Sequence, residues 1–141
     1  MAELFHVGLT VKDLQRSLTF YRDVVGMDAG KITTGQSAEF DSLTNNPGAR
    51  LRAVHLKAGS FMLQLLEYEA GGGSTLDLHH NNVGSPHFCF HVPDVEAKYA
   101  EVQQRGDVKI TSAIVPIARN ARSFYTEDPD GVPVEFVEYI R

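Results

Sequence analysis

Hydrophobic and polar residues alternate along the start of the chain. Residues 4–11 read LFHVGLTV, and the odd-numbered positions from 5 to 11 are all apolar. This period of two predicts a strand with one buried face. From residue 14 to 25 apolar residues recur at helical spacing, with Asp13 as a suitable N-cap and Gly26 as a suitable C-cap. The chain therefore starts with a strand followed by a helix.

Shorter apolar runs predict three more strands in the first half of the chain. They cover about residues 29–33, 51–57 and 61–68. Residues 38–43 are compatible with either a short strand or part of a loop. The sequence NNPG at residues 45–48 then follows as a turn signal.

The same order of patterns returns in the second half. The run FHVGLTVKD at residues 5–13 lines up with PHFCFHVPD at residues 86–94, and QLLEY at 64–68 lines up with EFVEY at 135–139. Both early runs place a histidine in an alternating strand and an aspartate seven residues later. The second copy continues with a helix that ends at Gly106 and with strands near residues 108–111, 113–118, 123–126 and 132–139. Such a repeat sets the architecture of a chain.

The repeat predicts an α+β fold made of two tandem βαβββ modules. The N-terminal module spans residues 1–70, a linker that begins with GGGS spans residues 71–85, and the C-terminal module spans residues 86–141. A module of this size buries too little of its sheet alone. We therefore expect one compact domain, with a curved mixed sheet around a central metal-binding cleft and with the helices outside.

Four polar positions of the repeat are candidates for binding a metal ion. Strand parity places His6 and His87 on the face opposite the apolar residues, and the repeat makes Gln64 and Glu135 equivalent. A single histidine on a strand is more often packed or solvated, but chance rarely puts ligand-capable groups at four corresponding positions. Two imidazoles, one amide oxygen and one carboxylate suit one divalent Co, Ni, Mn, Zn or Fe ion, with positions open for substrate.

Composition and charge exclude several classes of partner. The net charge is −5 and no run of Lys or Arg occurs, which argues against nucleic acid. The apolar runs are too short to span a membrane, and the N-terminus lacks the pattern of a signal peptide. A single cysteine excludes an internal disulfide and fits a reducing compartment, so we expect a cytoplasmic protein with a small-molecule substrate.

Two stretches of the chain carry a resemblance to a known family. FHVGLTVKDLQRSLTFYRDVVGM near the start and FYTEDPDGVPVEFVEY near the end resemble the vicinal oxygen chelate superfamily. That superfamily includes glyoxalase I, methylmalonyl-CoA epimerase, extradiol dioxygenases and fosfomycin or bleomycin resistance proteins. The resemblance implies one divalent metal ion at the four positions named above. It also implies a homodimer, in which modules pair either within one chain or between two chains.

Details of the resemblance favour an isomerase or epimerase that moves a proton next to a metal-bound carbonyl. The ligand order His, Gln, His, Glu is the one seen in methylmalonyl-CoA epimerases. Bacterial glyoxalase I has Glu where this chain has Gln64, and it binds glutathione through an Arg and an Asn where this chain has Thr10 and Tyr68. Glu135 is the expected catalytic base, and Glu39 or Asp41 is the expected second acid or base.

Three other functions stay open. An extradiol-type Fe(II) dioxygenase would use His6, His87 and Glu135, with His55 or His91 as a base. A glyoxalase-like lyase and a metal-free protein that binds a small molecule, such as a resistance protein, are the others.

Several polar side chains remain to be assigned. We expect Arg122, Tyr68 and His91 to bind substrate. We expect Glu67 and Glu138 near strand ends in solvent, and His79 and His80 solvated in a polar loop.

Overall fold

The computed structural model describes residues 1–140, which form two compact units. The first unit is Met1–Thr75 and the second begins at Leu76. Each unit contains one five-stranded sheet. The predicted α+β fold of tandem βαβββ modules is therefore confirmed. Among the helices described, none is long and apolar enough to cross a membrane.

The first unit builds its sheet in the order β1-β5-β4-β2, with β3 also paired to β4. Strand β1 is parallel to β5, and the other pairs are antiparallel. The elements are β1 (Val7–Thr10), α1 (Leu14–Thr19) continued by a π-helical segment (Phe20–Val25), β2 (Asp28–Ala29), β3 (Thr33–Gly35), α2 (Ala38–Thr44), β4 (Arg50–Ala58) and β5 (Phe61–Ala70).

The second unit repeats this topology in the order β6-β10-β9-β7, with β8 also paired to β9. Strand β6 is parallel to β10, and the other pairs are antiparallel. The elements are β6 (Phe88–His91), α3 (Val95–Arg105), β7 (Lys109–Ile110), β8 (Val115–Ala118), β9 (Ala121–Glu127) and β10 (Pro133–Tyr139).

One face of each sheet is covered by the unit's own helix. In the first unit Leu63 and Leu65 of β5 are fully buried on this face, together with Leu14 of α1. In the second unit Phe124 of β9 and Phe136 of β10 take the same role. Because side chains alternate along a strand, the residues between these positions lie on the opposite face.

Aspartate and glycine bound the two main helices as predicted. Asp13 and Asp94 each accept a hydrogen bond from the amide three residues later, at 2.9 Å in both units. Gly26 and Gly106 end the helices with φ of 93° and 70°, which is the left-handed region that favours glycine. The N- and C-caps were therefore readable from sequence.

A second carboxylate stabilises the start of each helix, and it comes from the last strand of the unit. Glu67 Oε2 accepts a hydrogen bond from Leu14 N at 2.5 Å, and Glu138 Oε2 accepts one from Val95 N at 2.9 Å. The two glutamate side chains keep only 16% and 17% of their surface exposed. The expectation that they lie in solvent was wrong, because a helix N-terminus attracts a carboxylate.

Residues 38–43 belong to a helix and not to the strand or loop that the sequence suggested. Ser37 caps α2, since its hydroxyl oxygen accepts a hydrogen bond from Phe40 N at 3.1 Å. Asn45 ends the helix at φ 50°. The helix buries none of its residues, so its sequence carries no apolar stripe from which it could be predicted.

Candidate functional site

The first unit places an imidazole and an amide on the sheet face opposite α1. In the parallel pair of β1 and β5, Gly8 lies opposite Gln64, and His6 precedes Gly8 by two residues. Strand β4 adds His55 opposite Gln64, and the rings of His6 and His55 lie 5.4 Å apart. The predicted ligands His6 and Gln64 therefore share one face of their sheet.

Both of these side chains have polar atoms directed into the site. His6 Nδ1 is buried and has no hydrogen-bond partner among residues 1–140. Gln64 Oε1 lies over Gly8, since a β-carbon added at that glycine would sit 3.8 Å from it. A buried nitrogen without a partner is unfavourable unless a further group satisfies it.

The second unit repeats this register with different side chains. In the parallel pair of β6 and β10, Cys89 lies opposite Glu135, and His87 precedes Cys89 by two residues. Strand β9 adds Tyr125 opposite Glu135. Each unit thus carries the same frame, a histidine two residues before the position that faces Gln64 or Glu135.

Two proton donors surround the carboxylate of Glu135, which is only 8% exposed. The Tyr125 hydroxyl donates a hydrogen bond to Glu135 Oε2 at 2.9 Å. Desolvation and this hydrogen bond raise the pKa of Tyr125 above its ordinary value. Desolvation, then the charge and hydrogen bond of Glu135, raise the pKa of Cys89 to about 12. Both donors therefore keep their protons at neutral pH, and Cys89 is not a thiolate nucleophile.

The second unit begins with residues 76–85, which belong to the predicted linker. These residues form a loop with hydrogen bonds of its own. The Ser85 hydroxyl donates to Leu78 O at 2.6 Å, and Asn82 Nδ2 donates to Asp77 O at 3.0 Å. This loop sets the ring of His80 edge-on against Tyr125, with centroids 4.7 Å apart.

The two histidines of this loop have different surroundings. The His80 ring also lies 6.1 Å from the ring of His87. His79 bonds within the loop, through Nδ1 and Asn81 Oδ1 at 2.7 Å. The expectation that both histidines are simply solvated was thus incomplete, because His80 packs on the site.

The remaining predicted site residues lie in several places. Tyr68 shares the sheet face of Gln64. His91 lies opposite Val137 on the Glu135 face, and its ring stacks on Tyr139 at 6.2 Å. These placements are compatible with substrate binding, which stays a prediction for both.

Arg122 and Glu39 lie apart from these groups. Arg122 lies on the helix-covered face of its sheet, where it donates to Glu96 at 2.7 Å and to Glu138 at 3.1 Å. That face is opposite to the one carrying Glu135, so the structure lends no support to substrate binding by Arg122. Glu39 is exposed in the first turn of α2, and Asp41 on the same helix has a buried Oδ1 without a hydrogen-bond partner in the described chain.

Neither unit holds a complete metal site by itself. Within each unit, the described residues bring together no group of three or more His, Cys, Asp or Glu side chains that could bind an ion. Each unit supplies two of the four predicted donors. The four-residue ligand set stays a prediction.

Comparison with known proteins shows the family and agrees with the fold. Residues 3–136 match the Glyoxalase/Bleomycin resistance protein/Dioxygenase superfamily, and the chain belongs to that superfamily. It is 25% identical to a lactoylglutathione lyase of Haemophilus influenzae, over 96% of this chain and 92% of that protein. It is 28% identical to a 2-epi-5-epi-valiolone epimerase of an Actinomyces species, over 94% of this chain and 76% of that protein.

A solved structure supports the fold alone. A glyoxalase family protein from Bacillus cereus superposes with a TM-score of 0.84 at 14% identity, covering 96% of this chain and 93% of the other. The expected superfamily is confirmed by the family match over residues 3–136.

Sequence reasoning missed Tyr125 as a neighbour of Glu135. The signal was present, because the two residues flank the DPDG turn at residues 128–131. In a hairpin the turn sets the register, and this one places Tyr125 directly opposite Glu135. The contact of His80 with Tyr125 had no comparable signal in the sequence, because hydrogen bonds within the loop position His80.

Proposed function

We propose that the protein is a metal-dependent isomerase or epimerase, in which His6 and Gln64 together with His87 and Glu135 bind one divalent ion. The observation that carries the proposal is the repeated register. Two sheets with different sequences each place a histidine two residues before the position that faces Gln64 or Glu135. The proposal requires that both pairs meet at one ion, either within a chain or between the two chains of a homodimer.

The donor set fits such an ion. Imidazole nitrogen, amide oxygen and carboxylate together suit borderline divalent metals. The buried and unpartnered Nδ1 of His6 shows that this imidazole is held at a position where its hydrogen bonding is incomplete. Glu135 uses Oε2 for the Tyr125 hydroxyl, which fixes the carboxylate in one orientation. Such outer hydrogen bonds are typical supports of metal ligands.

The metal's contribution, when bound, would be that of a Lewis acid that stabilises negative charge on a substrate oxygen. The chain itself would supply the proton transfer. Glu135 is the proposed base, because it is nearly buried and oriented by Tyr125. Glu39, with Asp41 as its alternative, is the proposed second acid or base. Tyr68 and His91 are the proposed substrate contacts on the two sheet faces, whereas Arg122 is left out.

Metal content and ligand variants test this proposal. We expect about one Co, Ni, Mn or Zn ion per chain by elemental mass spectrometry after purification without chelators. Gln64→Ala and Glu135→Ala should reduce the retained metal. Glu101→Gln is a matched control, because Glu101 lies on α3 and bonds to Lys98. Metal retention equal to that of the parent chain in both ligand variants would contradict the proposal.

Proton transfer is tested separately with metal-loaded protein. We expect the protein to exchange the acidic C–H of a bound hydroxyketone or acyl-CoA with deuterated solvent. Near one Fe per chain with oxygen uptake on catechols would instead identify the dioxygenase. Tight ligand binding without metal or turnover would identify a binding or resistance protein.

A glyoxalase-like lyase is the second candidate, and the similarity to the lactoylglutathione lyase of Haemophilus influenzae favours it. The test is turnover of the methylglyoxal–glutathione adduct by the same metal-loaded protein. We expect little turnover, because Thr10 and Tyr68 occupy the positions of the glutathione-binding residues of bacterial glyoxalase I.

A further inference from the structure

A cavity of about 470 Å³ lies in the second unit, between the start of the loop at residues 76–85 and strand β9. We propose that this cavity binds the part of the substrate remote from its reacting carbonyl, and that this part is an uncharged, hydroxyl-bearing group. The inference rests on the proposed function and adds a substrate class to it. A volume of this size falls within the usual range of ligand pockets.

The position of the cavity links it to the Glu135 half of the site. Its wall includes His80 and Tyr125, the same pair whose rings lie 4.7 Å apart. Tyr125 lies opposite Glu135 and Glu127 lies opposite Pro133, so all four share one sheet face. A substrate whose reacting end lies at Glu135 can therefore extend along β9 into the cavity.

The charge of the cavity wall decides which groups it accepts. Asp77, Glu127 and Asp130 line it, and among the described lining residues there is no lysine or arginine. Lys109 lies 2.9 Å from Glu127 and offsets one of these carboxylates. The Asp77 carboxylate disfavours a phosphate, a carboxylate or a coenzyme A tail, since like charges repel across a few ångströms.

The other hydrogen-bonding groups of the wall match a hydroxylated carbon skeleton. Thr111 and Ser112 bring hydroxyl groups, and the loop brings two imidazoles. Leu76, Leu78 and Pro133 add apolar surface against which the C–H groups of such a skeleton can pack. This mixture of hydrogen-bonding and apolar groups favours a neutral, hydroxylated ligand over a purely apolar one.

The experiment compares one hydroxyketone with and without a negative tail. Metal-free, ¹⁵N-labelled protein is titrated with D-xylulose and with D-xylulose 5-phosphate while amide shifts are recorded. We expect D-xylulose to shift the amides of Thr111, Ser112 and Tyr125. We expect the phosphate to bind about tenfold more weakly, as repulsion by the Asp77 carboxylate predicts.

Charge variants tie the preference to the cavity. The double variant Asp77→Asn, Glu127→Gln should reduce the preference to about threefold or less by weakening repulsion. The Asn side chain can still accept the hydrogen bond from His79 N that Asp77 Oδ1 accepts at 3.0 Å. Glu101→Gln is again the control, and it should leave the preference unchanged.

Three results would overturn the inference: equal or tighter binding of the phosphate, a preference unaffected by the double variant, or no shifts in the cavity. Because chelator is present throughout, failure here leaves the metal proposal intact. Conversely, cavity shifts in a protein that never retains metal would keep the cavity assignment and remove the proposed function.

Discussion

In the first unit the residue opposite Gln64 on the antiparallel neighbour is His55, whereas in the second unit the residue opposite Glu135 is Tyr125. The parallel neighbours differ as well, because Gly8 in one unit corresponds to Cys89 in the other. The backbone register is the same in both places. The sheet frame therefore fixes where the donors stand, while the sequence places an amide in one half of the site and a carboxylic acid in the other.

The largest effect is expected from changing which half carries the charge. Glu135→Gln should weaken Co²⁺ binding by more than the roughly 10–100-fold that loss of an outer-shell partner costs. Gln64→Glu should strengthen binding, because it adds a second carboxylate to the set. Competition with a metal-sensitive dye measures both. Equal changes in Co²⁺ affinity of the same sign in both variants would contradict this difference between the two halves. The control Glu101→Gln should bind Co²⁺ as the parent protein does.

The carboxylates that hold the helix starts provide the second prediction. Glu67→Ala and Glu138→Ala should each lower the free energy of unfolding by roughly 1.5–3 kcal/mol, since each removes a charged hydrogen bond to a helix amide. The loss should be larger for Glu138, whose ion pair with Arg122 is 3.1 Å long, than for Glu67, whose ion pair with Arg52 is 3.6 Å long. Urea denaturation measures the change. Near-neutral values for both variants, comparable to Glu101→Ala, would contradict the structural role.

The third prediction uses the reactivity of Cys89 to report on the half of the site that contains Glu135. Its pKa is raised to about 12 from an ordinary value of 9.0, first by desolvation and then by Glu135. The folded state therefore holds the thiol proton more tightly, and this contribution to stability is lost as pH rises from 9 towards 12.

The measurement is alkylation of metal-free protein by iodoacetamide against pH. At pH 8.5 the rate should be at least about tenfold below that of a free cysteine, because only the thiolate reacts. Glu135→Gln should move the rise in rate to lower pH. A profile that is the same in both proteins would remove Glu135 as a cause.

The smallest effect is expected from the ring of His80, which lies on the loop at residues 76–85 of the second unit. His80→Ala should weaken the packing of the loop on Tyr125 by about 0.5–1.5 kcal/mol, the typical value of an aromatic pair. His80→Phe should restore it, because the edge-on contact needs a ring and not a nitrogen. Hydrogen exchange of the amides of residues 76–85 measures the docking. His79→Ala is the matched control, and a loss as large as that of His80→Ala would argue against specific packing.

The fold was predictable because its signals are local and appear twice. The alternation in residues 4–11 predicts a strand, and the caps Asp13 and Gly26 predict a helix. The repeat gives the same prediction for the second helix, at Asp94 and Gly106. Helix α2 was not predictable, since it lacks a buried stripe. The local signal that these residues form a helix and not a strand is the Ser37 cap at the start.

The candidate site was predictable only in part. Strand parity was enough to place His6 with Gln64 and His87 with Glu135 on common faces. The role of Glu138 was hidden, because a carboxylate at a strand end looks the same in sequence whether it meets water or a helix amide. Contacts of this kind depend on tertiary packing, so they produce no periodic pattern in the sequence.

Glu67 and Glu138 have a consequence for how the modules can be arranged. Each ties the first helix of its module to the last strand of the same module. Such a closed link makes a module self-contained, because its helix start needs no group from the sister module. Two chains could therefore exchange modules without breaking either link, which is the condition for domain swapping at low cost. Each module of this design would keep its internal bonding unchanged in such an exchange.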